Sequence, residues 1–179
     1  MPVLTTNRLE LDYLNFEDAP FILELLNDQD FIEHIGDKNV RTLAEAREYL
    51  QTGPMKSYKE YGFGLYRVME KGSRAFMGIC GLLKREVLED VDIGYAFLPD
   101  YRGKGFATES CEAMMAYARD NFGIDRVVAV VSPGNEKSQR VLMKLGLQFD
   151  KMIRLAIDAP ESMLFSPGKK AIHLNDCDF

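Results

Sequence analysis

A segment of fifteen residues, 95–109, restricts the fold of this chain more than any other part of its sequence. It begins within an apolar run, residues 93–98, that predicts a β-strand ending at Pro99. A basic loop with two glycines follows and leads directly into a sequence typical of a helix. The first amides of a helix have no intrahelical acceptor and lie at the positive end of its dipole. This arrangement predicts an anion-binding site.

The composition of the loop indicates which anion it binds. Gly103 and Gly105 permit a tight turn and a close approach of the backbone to a ligand. Arg102 and Lys104 add positive charge in a chain whose net charge is −6. Together these features predict a loop that holds a diphosphate.

Two common phosphate loops do not match this sequence. A Walker A loop needs Lys-Ser or Lys-Thr after its last glycine, but Gly105 is followed by Phe106 and Ala107. A dinucleotide fingerprint needs a third glycine where this chain has Thr108. Asp125 lies twenty residues after Gly105, but it precedes a predicted strand, whereas a ribose-binding acid follows one. A nicotinamide-dependent oxidoreductase is therefore the least favoured alternative.

Hydrophobic periodicity predicts an α/β fold with the order β-α-α-β-β-β-α-β-α-β-β in one mixed sheet. The predicted helices start at a cap on Asn15 or Asp18, at the Thr42–Glu45 capping box, after Gly105 and at Asn135. The second helix is expected to fade near Gly53, and His34 is expected in a solvated loop. Strands are predicted over residues 9–14, 62–70, 75–85, 91–98, 126–132 and 147–156, with a last one between 162 and 174.

Length and composition predict a single soluble domain over residues 1–179. No apolar run approaches the roughly 20 residues of a membrane span, and the start of the chain lacks the pattern of a signal peptide. The three cysteines are widely spaced without a C-x-x-C pair, which favours a reducing, cytoplasmic compartment and no metal site. Cys111 is predicted to be a buried apolar residue rather than a nucleophile. The acidic charge disfavours nucleic acid as a partner.

Two linked motifs resemble the GNAT superfamily of acyl-CoA N-acyltransferases. The first is Arg-x-x-Gly-x-Ala at positions 102–107, and the second is Asn-x-x-Ser at 135–138, followed by Lys-Leu-Gly at 144–146. The second motif and the opening Thr6-Asn7-Arg8-Leu9 are similar to the branch that acetylates the N-termini of ribosomal proteins. The resemblance spans nearly the whole chain. It implies a central mixed, largely antiparallel twisted sheet flanked by about four helices.

The resemblance also implies a set of contacts with acetyl-CoA as cosubstrate. The backbone of Phe97 and Leu98 would pair with the pantetheine amides. The amides of residues 102–107 would bind the diphosphate, and the Thr108 hydroxyl would add a further contact. Asn135 and Ser138 would lie beside the pantetheine arm, although a helix cap alone would also explain Asn135. The cofactor-binding residues expected in this way are Phe97, Leu98, Arg102, Gly103, Lys104, Gly105, Phe106, Ala107, Thr108, Asn135 and Ser138.

The catalytic candidates are Asp92 and Ser138. Asp92 stands where members of this family often carry an acid, which suggests a general base, although a charge run at a strand entrance is usually a solvated turn. Many members place a tyrosine in the last helix as the acid, but this chain has Leu142 there. The ribosomal branch uses a serine instead, and Ser138 matches that position.

The sequence therefore predicts an acetyltransferase that moves the acetyl group from acetyl-CoA to a primary amine, with a protein or peptide N-terminus favoured. A small-molecule amine remains an alternative acceptor, and an acetyl-CoA-binding regulatory domain without efficient turnover is a further alternative. An acidic surface would suit a cationic acceptor. The loops near residues 36–42 and 53–62 are expected to select the acceptor. The protein is expected to be a monomer or a homodimer.

Overall fold

The computed structural model describes residues 1–168, which form one eight-stranded sheet and six α-helices. The strands are β1 (Leu4–Thr5), β2 (Leu9–Tyr13), β3 (Leu65–Glu70), β4 (Phe76–Leu83), β5 (Val91–Phe97), β6 (Val127–Val131), β7 (Gln148–Ile153) and β8 (Ser162–Ser166). The helices are α1 (Ala19–Leu26), α2 (Gln29–His34), α3 (Leu43–Thr52), α4 (Pro54–Tyr61), α5 (Phe106–Phe122) and α6 (Glu136–Lys144). None of the helices in this part of the chain is long and apolar enough to cross a membrane.

The sheet has the strand order β1-β2-β3-β4-β5-β6-β8-β7. Every neighbouring pair is antiparallel except β5 and β6, which run parallel. This confirms the predicted mixed, largely antiparallel sheet. It also confirms that the apolar strand β6 is an interior strand, since β5 and β8 flank it.

Helices cover both faces of the sheet. On one face α5 packs over the middle strands, with Met114 and Ala118 fully buried against side chains such as Met77 and Leu82. Cys111 on the same helix is also fully buried, which confirms that it is a core residue, and its sulfur lies 3.8 Å from that of Cys80. On the other face α1 and α3 enclose a second cluster. The residues at its centre are Leu14, Ala19, Ile22, Leu25, Leu26, Ala46, Leu50 and Ile79.

Local signals define the helix ends correctly. The Thr42 hydroxyl accepts a hydrogen bond from the Glu45 amide, and the Glu45 carboxylate accepts one from the Thr42 amide. This capping box starts α3, as predicted. Asn135 accepts from the amide of Ser138 at 3.1 Å and caps α6. Gly123 ends α5 in the left-handed conformation, with φ of +64°.

The sequence did not predict the short helices α2 and α4 or the strand β1. The presence of α2 changes the placing of His34. His34 is the last residue of α2, not a loop residue. The side chain of Asp28 caps that six-residue helix, which is too short to show apolar periodicity. At Pro54 the sequence was interpreted as the end of a helix. Proline is instead the first residue of α4, where its missing N–H costs nothing, so residues 54–61 form a helix and not a loop.

The last strand, predicted between residues 162 and 174, ends earlier in the structure than the sequence suggested. β8 ends at Ser166, directly before Pro167, which cannot donate to a strand ladder. The remainder of that prediction, together with His173 and Cys177, lies outside the described residues.

Candidate active site

The parallel strands β5 and β6 separate soon after they meet. Their pairing covers only Val91 with Val127 and Asp92 with Val128. Beyond this point β5 stays paired with β4 as far as Phe97, while β6 turns to pair with β8. The sheet therefore contains an internal opening, bounded by residues 93–97 on one side and 129–131 on the other.

The edge of β5 presents backbone groups to this opening. The Leu98 amide donates to the Met77 carbonyl at 3.0 Å, on the β4 side. Because successive amides of a strand alternate in direction, those of Tyr95 and Phe97 face the opening. The Leu98 carbonyl accepts from the Tyr101 amide at 3.0 Å. The amide and the carbonyl of Leu98 thus each have a partner within the protein, whereas the Phe97 amide faces the opening as a suitable donor.

The loop beyond β5 has the architecture that the sequence predicted. Gly103 and Gly105 have φ of +71° and +81°, values that favour glycine, and α5 starts at Phe106. The first bond of the helix runs from the Glu109 amide to the Gly105 carbonyl at 3.0 Å. Within residues 1–168, the amides at positions 103–108 have no hydrogen-bond acceptor in the protein. Six consecutive donors at a helix N-terminus can receive an anion.

Arg102 differs from its prediction as a diphosphate ligand. Its amide donates to the Pro99 carbonyl at 3.2 Å, and its Nε donates to the Phe97 carbonyl at 2.9 Å. The two remaining guanidinium nitrogens bind the carboxylates of Asp28 and Asp30. With these groups engaged, Arg102 fixes the loop to the start of α2, and both its amide and its guanidinium already have acceptors within the protein.

Arg8 is a basic residue of the loop region that sequence reasoning did not place in the site. Its Nε binds Glu109 Oε2 at 2.7 Å, its Nη1 donates to the Lys104 carbonyl at 3.0 Å, and its guanidinium lies 4.4 Å from the centre of the Phe106 ring. Glu109 also accepts from the Thr6 hydroxyl at 2.6 Å, and these bonds lower the pKa of its carboxyl despite partial burial. The only signal in the sequence is the resemblance of the segment around Arg8 to the branch that acetylates ribosomal proteins.

This geometry predicts that Arg8→Met weakens acetyl-CoA binding by about tenfold, the value of one charge-assisted contact of some 1.4 kcal/mol. The methionine keeps an apolar chain over Phe106 but removes the bond to the loop and a positive charge beside it. Calorimetric titration measures the change. Arg74→Met is the matched control, because Arg74 is an exposed residue whose only ion pair in the described part of the chain is with Glu10, and it has no hydrogen bond to the glycine loop there. Equal affinity in both variants would show that Arg8 has no part in the site.

The far side of the opening is formed by α6, which follows β6. Its cap Asn135 is used as predicted, and Ser138 lies in the first turn. The Ser138 Oγ is 2.5 Å from the hydroxyl of Tyr95, which reaches across from β5. Leu142, at the position where the family resemblance would seek a tyrosine, is only 1% exposed and belongs to the core.

Asp92 lies at the point where β5 and β6 diverge, and it is 1% exposed. Its two oxygens each accept from Arg85 Nε at 3.1 Å. Burial raises the pKa of the Asp92 carboxyl above its usual value, and the Arg85 charge opposes that shift. Side chains alternate along a strand, so Asp92 and Tyr95 project from opposite faces. The structure therefore places both catalytic candidates at the opening but does not bring Asp92 and Ser138 together on one face.

Three kinds of polar group lie around the opening. Amide donors at one end suit an extended phosphorylated molecule, a buried carboxylate lies on one face of β5, and a pair of hydroxyls lies on the other. Within the described residues, no group of three or more His, Cys, Asp or Glu side chains is arranged to hold a metal ion.

Known structures share this fold. The structure of RimL, a ribosomal L7/L12 alpha-N-protein acetyltransferase in complex with coenzyme A, superposes with a TM-score of 0.79 at 16% identity, covering 93% of this chain and 97% of that one. Microcin C7 self immunity acetyltransferase MccE, in complex with acetyl-CoA and AMP, superposes with a TM-score of 0.76 at 16% identity, covering 90% and 92%. These similarities show an acetyltransferase fold.

Sequence comparisons agree with the fold. An uncharacterized N-acetyltransferase of Bacillus subtilis (strain 168), YoaA, is 28% identical over 155 residues, which is 86% of each chain. The fold and these relatives define an enzyme of the acyltransferase class. The profile of the acetyltransferase (GNAT) domain matches residues 8–148, and the chain belongs to that family.

Proposed function

We propose that the chain acts as a single domain over residues 1–179 and transfers an acetyl group from acetyl-CoA to a primary amine by direct attack, with a protein or peptide N-terminus as the favoured acceptor. The observation that carries this proposal is the run of amides at positions 103–108, without acceptors among the described residues, beside the opening between β5 and β6. A diphosphate and an extended amide-containing arm are the two parts of coenzyme A that such features suit.

The chain would hold acetyl-CoA mainly through its backbone. The amides of Gly103, Lys104, Gly105, Phe106, Ala107 and Thr108 donate to the diphosphate, and the Thr108 hydroxyl adds a contact. The Phe97 amide, at the edge of β5, donates to the pantetheine arm or to the thioester carbonyl. Asn135 keeps its helix cap while it lines the far side of the arm. Backbone donors of this kind are fixed before the substrate arrives.

Asp92 is the proposed general base. The attacking amine must be neutral, which is a small demand on an α-amine with a pKa of about 7.7–8.0 and a large one on a lysine of about 10.4. Because Asp92 is nearly inaccessible, it takes the proton through a water molecule. As the N–C bond forms and the C–S bond breaks, the sulfur leaves with the electron pair, and the Ser138 hydroxyl donates a hydrogen bond to it.

The favoured acceptor rests on the branch resemblance and on RimL, whose name specifies a ribosomal protein N-terminus. The sequence pI of about 5.0 fits a basic acceptor in the cytoplasm. A second candidate is a small amine, since MccE, which shares the fold, is a microcin C7 self immunity acetyltransferase and not a ribosomal-protein one by name. The regulatory alternative is supported by the leucine at position 142, because that residue supplies no acid.

Calorimetric titration with acetyl-CoA tests the proposal first, with NAD and ATP as controls. We expect selective binding in the micromolar range. A folded sample that is free of bound coenzyme and shows no heat with acetyl-CoA would contradict the assignment of the loop. A turnover assay then compares basic and neutral peptides with free N-termini, their N-formylated forms and small amines. Turnover of the small amines alone would replace the favoured acceptor, and binding without turnover would support the regulatory alternative.

A further inference from the structure

A hydrogen bond between two side chains crosses the opening between β5 and β6. The Tyr95 hydroxyl of β5 lies 2.5 Å from Ser138 Oγ of α6 and 3.5 Å from the Ser138 carbonyl. Within residues 1–168, no other hydrogen bond joins residues 93–98 to residues 129–144. Within the described residues, hydrogen bonds therefore join the two sides of the opening at a single residue of α6, and that residue is the serine proposed to face the sulfur.

The direction of this hydrogen bond follows from acidity. Burial raises the pKa of the Tyr95 hydroxyl above its ordinary value near 10, so the group keeps its proton throughout the neutral range. A phenol is a stronger donor than an aliphatic alcohol, so Tyr95 donates and Ser138 Oγ accepts. A hydroxyl that accepts at its oxygen keeps its own hydrogen for another partner. The Ser138 amide is already used by Asn135, which also fixes the residue from the backbone side.

From this contact we infer that Tyr95 is a positioning residue for acetyl transfer, one that orients the Ser138 hydroxyl toward the departing sulfur. The inference rests on the proposed function. It adds that Tyr95, acting through Ser138, compensates for the missing acid at position 142, where this chain has leucine. Tyr95 keeps its proton throughout the step. The C–S bond breaks with its electron pair on the sulfur, the Ser138 O–H stabilises that charge by a hydrogen bond, and the thiolate later takes a proton from water.

A double-mutant cycle tests this role. The variants are Tyr95→Phe, Ser138→Ala and the two combined, and the readouts are kcat with a saturating amine and the calorimetric Kd for acetyl-CoA. We expect Tyr95→Phe to lower kcat about tenfold, which corresponds to one hydrogen bond of some 1.4 kcal/mol, with an unchanged Kd. In the Ser138→Ala background the same change should have no further effect, because the hydroxyl that it orients is gone.

Tyr117→Phe serves as the matched control. It removes the same atom from a tyrosine of α5 that packs on Phe122, so kcat and Kd should equal those of the parent protein. Thermal unfolding of each variant checks the fold. Ser138→Thr, which keeps a hydroxyl, should retain the dependence on Tyr95 that Ser138→Ala loses, and this distinguishes orientation of a hydroxyl from support of the helix.

Three results would overturn the inference. An unchanged kcat in Tyr95→Phe would show that the Tyr95 hydroxyl has no role in turnover. Fully additive losses in the double variant would show that the two hydroxyls act separately. Full activity of Ser138→Ala shows that the serine has no role, so there is nothing for Tyr95 to orient. In each case acetyl-CoA binding and turnover by the parent protein are measured independently, so the proposed function is judged apart from the role of Tyr95.

Discussion

Replacing Gly105 with glutamate is expected to abolish acetyl-CoA binding, with affinity reduced at least about 100-fold. The new carboxylate would stand among the amides that receive the diphosphate, and apposed like charges cost several kcal/mol. Gly105 has φ of +81°, and a Cβ there would lie 3.4 Å from Arg8 Nη2. The side chain would therefore also disturb the residue that binds the Lys104 carbonyl. Calorimetric titration with acetyl-CoA gives the result directly.

Gly72→Glu provides the control for backbone strain and added charge. Gly72 has a similar φ of +85°, and nothing lies within 4 Å of a Cβ built there. The two variants thus carry similar left-handed strain and the same added charge, but only position 105 lies in the glycine loop. Gly72→Glu should bind acetyl-CoA like the parent protein. Normal affinity in Gly105→Glu would remove the glycine loop from the proposed site.

Asp92→Asn is expected to lower kcat about 100-fold, within the usual range for loss of a general base. The acid limb of the pH–rate profile should disappear with it. The base acts as a carboxylate, so in the parent protein the rate falls as the pH drops through the raised pKa of Asp92. Arg85→Gln should move that limb to higher pH, because Arg85 is the group that opposes the upward shift.

Stability separates this role from a purely structural one. A carboxyl whose pKa is raised by folding stabilises the native state below its unfolded pKa, and the benefit is lost as the pH rises through the folded value. At pH values above its folded pKa, where Asp92 is charged, it contributes no such stability. Asp92→Asn should unfold there at the same temperature as the parent protein or higher. A lower unfolding temperature together with full activity per folded molecule would identify Asp92 as a structural partner of Arg85.

The elements that the sequence predicted well are those with strong local signals. The strand, glycine loop and helix of residues 91–122 were correct because Pro99, Gly105 and Gly123 terminate or open elements by their own conformational limits. The capping box at Thr42 is equally local. α2 was missed because six residues are too few for periodicity, and α4 was missed because Pro54 is compatible with both the end and the beginning of a helix.

The backbone conformation of the candidate site was predictable from the sequence, and its side-chain contacts were less so. A pattern of glycines predicts the conformation of the loop, but it does not reveal that Arg102 is bound by Asp28 and Asp30, more than seventy residues earlier. Likewise, nothing local connects Tyr95 with Ser138, which lie 43 residues apart. The bonding of Leu98 depends on the register of β4 and β5, and that register becomes known only when the strands are paired.

The short pairing between β5 and β6 would make the stability of the protein depend on the supply of coenzyme. A sheet edge is normally found at the margin of a protein, where it can attract another polypeptide, but this edge lies inside the sheet, where β5 and β6 separate. A molecule that binds there binds the folded chain and not the unfolded one. At a coenzyme concentration 100 times its Kd, the folded state would gain about 2.7 kcal/mol. The lifetime of the enzyme would then depend on the metabolic state of the cell, and well-supplied cells would keep more of it.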